Sequence, residues 1–403
     1  MIRTFNCSCQ GESHKATDKV CQDYSLSYSE NGLAVAIVCD GHGGERYFRS
    51  DIGAQYAAEI TLDAIRLFAQ QMGSTLFAGK QFTAIGATNT LTDAEVLSAV
   101  DSAFRHLFSS IIYQWNEKIN QHAKTAELSE WEKEHVPPKY LEEFCKAETF
   151  EKQYGCTLMG YAQTSEYWFA FHIGDGKCLS FQESPVWREP IPWDERCFLN
   201  KTTSLCDTSA IEEFRYCYQG DGHFPTAVIL GSDGLDDSFG ETSNLANFYI
   251  QILKMLEREG MDATLESLRE TLPQLSKIGS KDDMSVACVF DDEKLTSQIA
   301  HLIQYQIGLT EANIEAVDAR IKAAKEKIEA YANSDAVDEK GQIEINYAKQ
   351  KIVTANEERS KLQNTLDSQR SQLAEITASS PNCNVNQSIT NPEESPIGTT
   401  PDA

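Results

Sequence analysis

Three stretches of this chain set an aspartate at the edge of a short apolar run, among small residues. They are Val38-Cys39-Asp40-Gly41-His42-Gly43-Gly44, Leu230-Gly231-Ser232-Asp233-Gly234-Leu235-Asp236-Asp237 and Ser280-Lys281-Asp282-Asp283-Met284-Ser285. Cys21-Gln22-Asp23 and Ile173-Gly174-Asp175-Gly176 add two more acids in similar company. A strand that ends in Asp delivers a carboxylate to the rim of a sheet on a rigid support. The neighbouring glycine lets a ligand approach the backbone, so Gly41 can offer its carbonyl too. Carboxylates and carbonyls are hard oxygen donors that select Mg²⁺ or Mn²⁺ over softer metals. Acids that converge without cations between them would repel one another. His42, two residues from Asp40, is placed to protonate a leaving alkoxide; a solvated loop histidine is the competing reading. Asp-Gly is also a common turn signal, and Asp175-Gly176 by itself reads equally well as a turn.

The elements that must position these groups can be read from periodicity. Gly32 to Asp40, Thr157 to Ala162, Tyr167 to Ile173, Lys177 to Gln182, Thr226 to Leu230 and Met284 to Phe290 read as strands. Residues 47–70, 93–120 and 240–272 read as helical, with Val96, Val100, Phe104, Leu107, Phe108 and Ile111 at helical spacing in the second. Strands separated by long helical insertions, without regular βαβ alternation, indicate an α+β fold for residues 1–292. Residues 121–150, charged and containing Pro137-Pro138, read as a surface excursion.

Beyond residue 292 the character changes. Ile314, Val317, Ile321, Ala324, Ile328 and Tyr331 alternate steps of 3 and 4. A second series does the same through Ile345, Ala348, Ile352, Ala355, Arg359, Leu362, Leu366, Gln369, Leu373 and Ile376, with Arg359 and Gln369 as misfits. This is a heptad seam. Turn formers in Asn333–Gln342 favour an intrachain antiparallel hairpin over an intermolecular coiled coil. The expected organisation is therefore a globular unit at 1–292, a helical hairpin or coiled-coil region at 293–378 and a disordered, Pro/Ser/Thr/Asn-rich tail at 379–403.

The chain has 403 residues, of which 41% are hydrophobic, enough for a substantial core and against wholesale disorder. Its net charge of −26 repels phosphate backbones, so no nucleic-acid partner is expected. No apolar run approaches the ~20 residues of a membrane span, and no membrane partner is expected. The twelve cysteines form no Cys-x-x-Cys pair and the N-terminus has no apolar signal core. Reduced thiols and a cytoplasmic location are expected.

The order of the acidic motifs resembles the metal-dependent protein phosphatases of type 2C. Asp40-Gly41-His42-Gly43-Gly44 is similar to that family's DGHxG, and Gly155-Cys156-Thr157-Leu158 to its G-[ST]-T strand start. Gly174-Asp175-Gly176-Lys177 resembles its GDSR-like turn, Ser232-Asp233-Gly234-Leu235-Asp236-Asp237 its SDGLxD, and Lys281-Asp282-Asp283-Met284-Ser285 its [RK]DNxS. The resemblance covers about residues 5–290 and implies a four-layer α/β/β/α sandwich of two antiparallel sheets flanked by helices, to which the C-terminal α-helical hairpin is appended. It also implies two Mg²⁺ or Mn²⁺ ions, with a third held more weakly. Asp40 would bridge the pair, Gly41 would bind through its carbonyl, and Asp233 and Asp282 would complete the other site. Asp23 matches the acid near the pair, Asp175 and Asp237 match the third-ion positions, and His42 would protonate the leaving group. The implied activity is hydrolysis of phosphoserine and phosphothreonine in proteins by water activated between two metals.

Two positions depart from the family pattern. Asp18 stands where an arginine usually holds the substrate phosphate, leaving His14, Lys15 and Lys19 as the phosphate-binding candidates. Asp283 stands where Asn is usual, adding negative charge beside the metals. The competing reading is a catalytically weak or inactive relative whose helical tail recruits a protein partner or self-associates. A cysteine-based phosphatase is excluded, because Cys39 is followed by Glu45 where a phosphate-loop arginine is needed. Every proposed ligand precedes residue 290, so deleting residues 314–403 is expected to leave aryl-phosphate turnover intact while changing partner choice. Loss of cation binding in that truncation would overturn the separation.

Overall fold

The computed structural model describes residues 1–72, 76–77, 81–82, 94–197, 201–332 and 339–379. The chain divides into two units, Met1–Thr296 and Ser297–Ala403.

The first unit contains eleven strands among its described residues: β1 (Ile2–Cys9), β2 (Tyr24–Glu30), β3 (Leu33–Cys39), β4 (Gln81–Phe82), β5 (Leu158–Gln163), β6 (Trp168–Ile173), β7 (Lys177–Phe181), β8 (Trp187–Arg188), β9 (Arg215–Gln219), β10 (Ala227–Gly231) and β11 (Met284–Asp291). They form two antiparallel sheets, ordered β1-β11-β10-β7-β8 and β2-β3-β5-β6-β9-β4. The helices are α1 (Glu12–Ala16), α2 (Ser50–Gln71), α3 (Ala94–Thr125), α4 (Glu130–His135), α5 (Pro138–Lys146), α6 (Ala210–Glu213), α7 (Asp233–Phe239), α8 (Thr242–Glu259) and α9 (Met261–Ile278).

Strand β3 shows how the layers form. Side chains alternate across a strand. Val35, Ile37 and Cys39 pack with Ile65, Phe68 and Phe104 of α2 and α3. Ala34, Ala36 and Val38 face the other way, into a core shared with Cys178, Val228, Leu230, Ala287 and Val289 of the second sheet. That sheet is covered in turn by α9, which packs on β1 and against α8. The expected sandwich of two antiparallel sheets flanked by helices is therefore present. Strands β1, β2, β4, β8 and β9 were not evident from the sequence.

Residues 121–150 are tied down more firmly than a surface excursion. Val136, Phe144 and Phe150 join the helix-side core. The buried Arg49 guanidinium donates to Glu132 Oε1 at 2.5 Å and Oε2 at 3.2 Å, to the Tyr154 hydroxyl at 3.0 Å and to the Glu127 carbonyl at 3.2 Å. Glu132 also closes a capping box with Ser129 at the start of α4. Burial alone would raise the Glu132 carboxyl, but the bonds from Arg49 and the Ser129 N–H outweigh it and hold the group below the usual carboxylate range.

In the second unit, α10 (Asp292–Ala332) runs on from the first unit and α11 (Glu339–Ser379) follows. Asp318 meets Arg359, Arg320 meets Glu358 and Lys327 meets Glu344, so partners on α11 descend in number as those on α10 climb. The pairing is antiparallel. Both misfits of the heptad seam have partners: Arg359 Nε donates to Asp318 at 2.7 Å, and buried Gln369 Oε1 accepts from Thr310 at 3.0 Å. Of the expected turn, residues 333–338 lie outside the described residues and 339–342 are helical; of the expected tail, Ser379 ends α11 and 380–403 lie outside.

Removing one partner of a buried ion pair leaves the other uncompensated, at a cost of roughly 3–5 kcal/mol. Glu132→Ala is expected to destabilise the protein by about that amount in urea unfolding at pH 7. Because the Glu132 carboxyl is depressed in the folded state, its contribution is present above the ordinary carboxylate value and is lost as pH falls through the lower folded value. The gap between wild type and variant should therefore narrow below about pH 4; a gap unchanged down to pH 3 would contradict the assignment.

Candidate active site

The acidic motifs converge at one end of the sandwich, where ends of the two sheets meet. Asp40 follows β3 in one sheet, and its backbone is locked to the start of β5. Its N–H donates to Thr157 Oγ1 at 3.0 Å, and its carbonyl accepts from the Thr157 N–H at 2.8 Å. Asp233 opens α7 just after β10 in the other sheet. The two carboxyl groups lie close enough to act on one another directly. Burial first, then mutual repulsion with Asp23, Asp175 and Asp282, pushes them upward: Asp40 well above the usual range and Asp233 up to about 7.

Asp23, at the entrance to β2, is 6% exposed and is raised by burial and by Asp283, Asp233 and Asp282. Its Oδ2 and the Asp233 Oδ1 are buried and have no hydrogen-bond partner. Asp282 is exposed on the turn before β11, where its Oδ1 accepts from the Asp283 N–H at 2.8 Å. Asp175 sits in the turn between β6 and β7 and Asp237 on α7, both raised by burial. Gly41 bridges to Cys156, and a Cβ there would overlap the Gln22 carbonyl. Gly174 adopts φ +134°, and a Cβ there would press into Thr157.

Among the described residues no three His, Cys, Asp or Glu side chains stand together in an arrangement that holds a metal ion. The donor set nonetheless fits hard cations. Buried carboxylate oxygens without a partner, and like charges crowded together, are what a divalent ion would relieve.

His42 is half-buried. Its N–H donates to the Gly155 carbonyl at 3.1 Å, its ring meets Tyr47 edge-on with centroids 4.7 Å apart, and its Nε2 lies 2.7 Å from Ser204 Oγ. Burial lowers its pKa to about 4, so the ring is neutral at pH 7 in the unliganded protein.

The phosphate-binding candidates divide. The His14 ring is buried, with Nδ1 2.9 Å from Asp283 Oδ2, so it is committed to the fold rather than offered to a ligand. Lys15 is exposed, and the half-buried Lys19 donates from Nζ to the Gly43 carbonyl at 2.6 Å. Asp283 adds charge next to Asp23 but is also a structural tie, accepting from the Gly11 and Gln22 N–H groups at 2.6 Å each. These bonds overcome its burial and hold it below the usual carboxylate range.

Sequence reasoning missed the segment that closes over the site. Thr202 Oγ1 donates to the Thr203 carbonyl at 3.3 Å, Thr203 Oγ1 accepts from the Gly174 N–H at 2.9 Å, and Ser204 meets His42. Arg215 grips the same turn from beneath, donating to the Gly174 carbonyl at 2.6 Å.

The profile of the family described as Protein phosphatase 2C matches residues 10–270, which hold every one of these groups except Asp282 and Asp283. The chain belongs to the protein phosphatase 2C family. Solved structures that resemble it include a bacterial serine phosphatase (12% identity, TM-score 0.41, 72% of this chain and 97% of that one). Others are PppA, described as a key regulatory component of T6SS in Pseudomonas aeruginosa (19%, 0.42, 72% and 97%), and the catalytic domain of the serine/threonine phosphatase PstP in complex with two manganese ions (15%, 0.40, 72% and 99%). No curated protein matches the chain.

The eleven cysteines among the described residues are unbridged, and Cys39 is fully buried, with its thiol pushed up by burial. Among the described residues no helix is long and apolar enough to cross a membrane.

If repulsion among the buried acids strains the metal-free protein, then Asp233→Asn should raise the melting temperature above wild type in chelator. Mn²⁺ should raise the wild-type value by several degrees and the variant's much less. A variant that melts lower in chelator and gains as much from Mn²⁺ would show that Asp233 is not part of a cation site.

Proposed function

We propose that the protein is a Mg²⁺- or Mn²⁺-dependent protein serine/threonine phosphatase of the cytoplasm. The reading is carried by one observation: Asp40, Asp233 and Asp23 crowd together with unpartnered buried oxygens at a sheet rim that also presents His42. Asp40, the Gly41 carbonyl, Asp233, Asp282 and Asp23 would hold two ions, and Asp175 and Asp237 a third, weaker one. Bound there, the ions supply the positive charge that acidifies an attacking water and neutralises the phosphoryl oxygens.

The rest falls to the chain's own groups. Lys15 and Lys19 stand in for the family's arginine as compact charges, which attract a phosphate without the two-point grip of a guanidinium. A phosphate dianion beside His42 favours its protonated form, so the ring takes up its proton in the substrate complex. As the bond from water oxygen to phosphorus forms and the bond from phosphorus to the ester oxygen breaks, His42 delivers that proton to the departing serine or threonine oxygen. The products are an alcohol and inorganic phosphate, and no cysteine takes part.

Release of inorganic phosphate from an aryl phosphate and from a phosphoserine peptide should require Mn²⁺ or Mg²⁺, stop with chelator and survive thiol alkylation. Asp40→Ala should cost at least about a hundredfold in kcat, in line with loss of a preorganised electrostatic group. Saturable Mn²⁺ binding with no turnover of either substrate would instead identify a regulatory binding module.

A further inference from the structure

We infer that Ser204 is a positioning residue for the reaction: it fixes the tautomer and orientation of His42 so that Nδ1 is the nitrogen that meets the substrate. The inference rests on the phosphatase reading above. Its basis is a count of protons and acceptors around one buried hydroxyl.

Ser204 is 2% exposed and has a single hydroxyl proton. The Cys156 carbonyl, 3.0 Å from Oγ, can only accept, and Cys206 Sγ at 3.2 Å is a weak acceptor. With the proton on the Cys156 carbonyl, which also accepts from the Leu205 N–H at 3.0 Å, Oγ is left with its lone pairs. One of these takes the Cys206 N–H at 3.3 Å. The other faces His42 Nε2 at 2.7 Å, and in this arrangement Nε2 carries a hydrogen and donates it. Among the described residues nothing hydrogen-bonds Nδ1. The ring plane is held by the edge of Tyr47 and by the backbone bond of His42 to Gly155.

Placement reinforces the assignment. Ser204 is the third of three consecutive hydroxyl residues, and the second, Thr203, holds the Gly174-Asp175 turn through the Gly174 N–H. One short segment thus ties the proton donor and an acidic loop of the site into a common register. Only Nδ1 is left to carry the transferable proton, which passes to the ester oxygen as its bond to phosphorus breaks.

The test exploits the leaving group. An aryl oxide leaves without help, whereas a serine alkoxide needs a proton. With Mn²⁺ present, Ser204→Ala is expected to lower kcat on a phosphoserine peptide by about 10–100-fold, a part of what general acid catalysis contributes. KM should stay within twofold, and kcat on p-nitrophenyl phosphate should fall less than threefold. His42→Ala should show the same selectivity, more strongly, and Ser204→Thr should recover part of the loss. Equal losses of Ser204→Ala on both substrates, or none on either, would overturn the positioning role. If His42→Ala itself fails to discriminate between the substrates, the general-acid reading fails rather than this one. An independent check needs no variant of Ser204. Long-range ¹H–¹⁵N spectra of the Mg²⁺-loaded wild type, with His42 identified by its absence in His42→Ala, should show the Nε2–H tautomer near pH 7. The Nδ1–H tautomer would overturn the inference.

Discussion

Several carboxylates are forced to share a small, dry space, and the architecture around them exists to make that tolerable. Burial and like charge both oppose ionisation. The protein meets this by placing each acid at the end or edge of a rigid element: Asp40 after β3, Asp23 before β2 and Asp233 at the head of α7, with exposed Asp282 on the turn before β11. No single element carries more than one of these four, so the cluster forms only where ends of both sheets meet.

Around this cluster lies a second set of groups with the opposite character, tied down by hydrogen bonds. Asp283 is neighbour to Asp282 yet behaves differently: two backbone N–H groups and His14 surround it, and its charge is stabilised. Thr157, Thr203, Ser204 and Arg215 likewise hold backbone and side chains of the site without belonging to its acidic lining. Satisfied polar contacts of this kind fix a geometry more sharply than apolar packing does.

How much of this could be read from residues alone follows from the range of each interaction. Asp40, Asp233 and Asp282 were legible because the signal is local, an apolar run closing on an acid beside small residues. The buried strands were legible for the same reason, and so were the two heptad series. Strand β1 was less so, since Ile2–Cys9 alternates weakly and carries polar Asn6 and Ser8. His14 was read as a phosphate ligand because its partner, Asp283, lies 269 positions away and leaves no local trace. Ser204 was invisible on the same grounds, sitting 162 positions from His42 in an aperiodic polar segment. Arg359 and Gln369 looked like flaws in a seam until Asp318 and Thr310 came opposite them.

The pairing of β1 with β11, Ile2 opposite Asp291 and Cys9 opposite Met284, has a bearing on biosynthesis. Among the described residues β1 lies at the edge of its sheet, with β11 as its one neighbour there. It is made well before β11, whose residues follow their partners by 275 to 289 positions. At roughly 5–20 residues per second that is a wait on the order of 15–60 s. During that interval the nascent chain carries an unpaired edge, the kind of surface on which chaperones act.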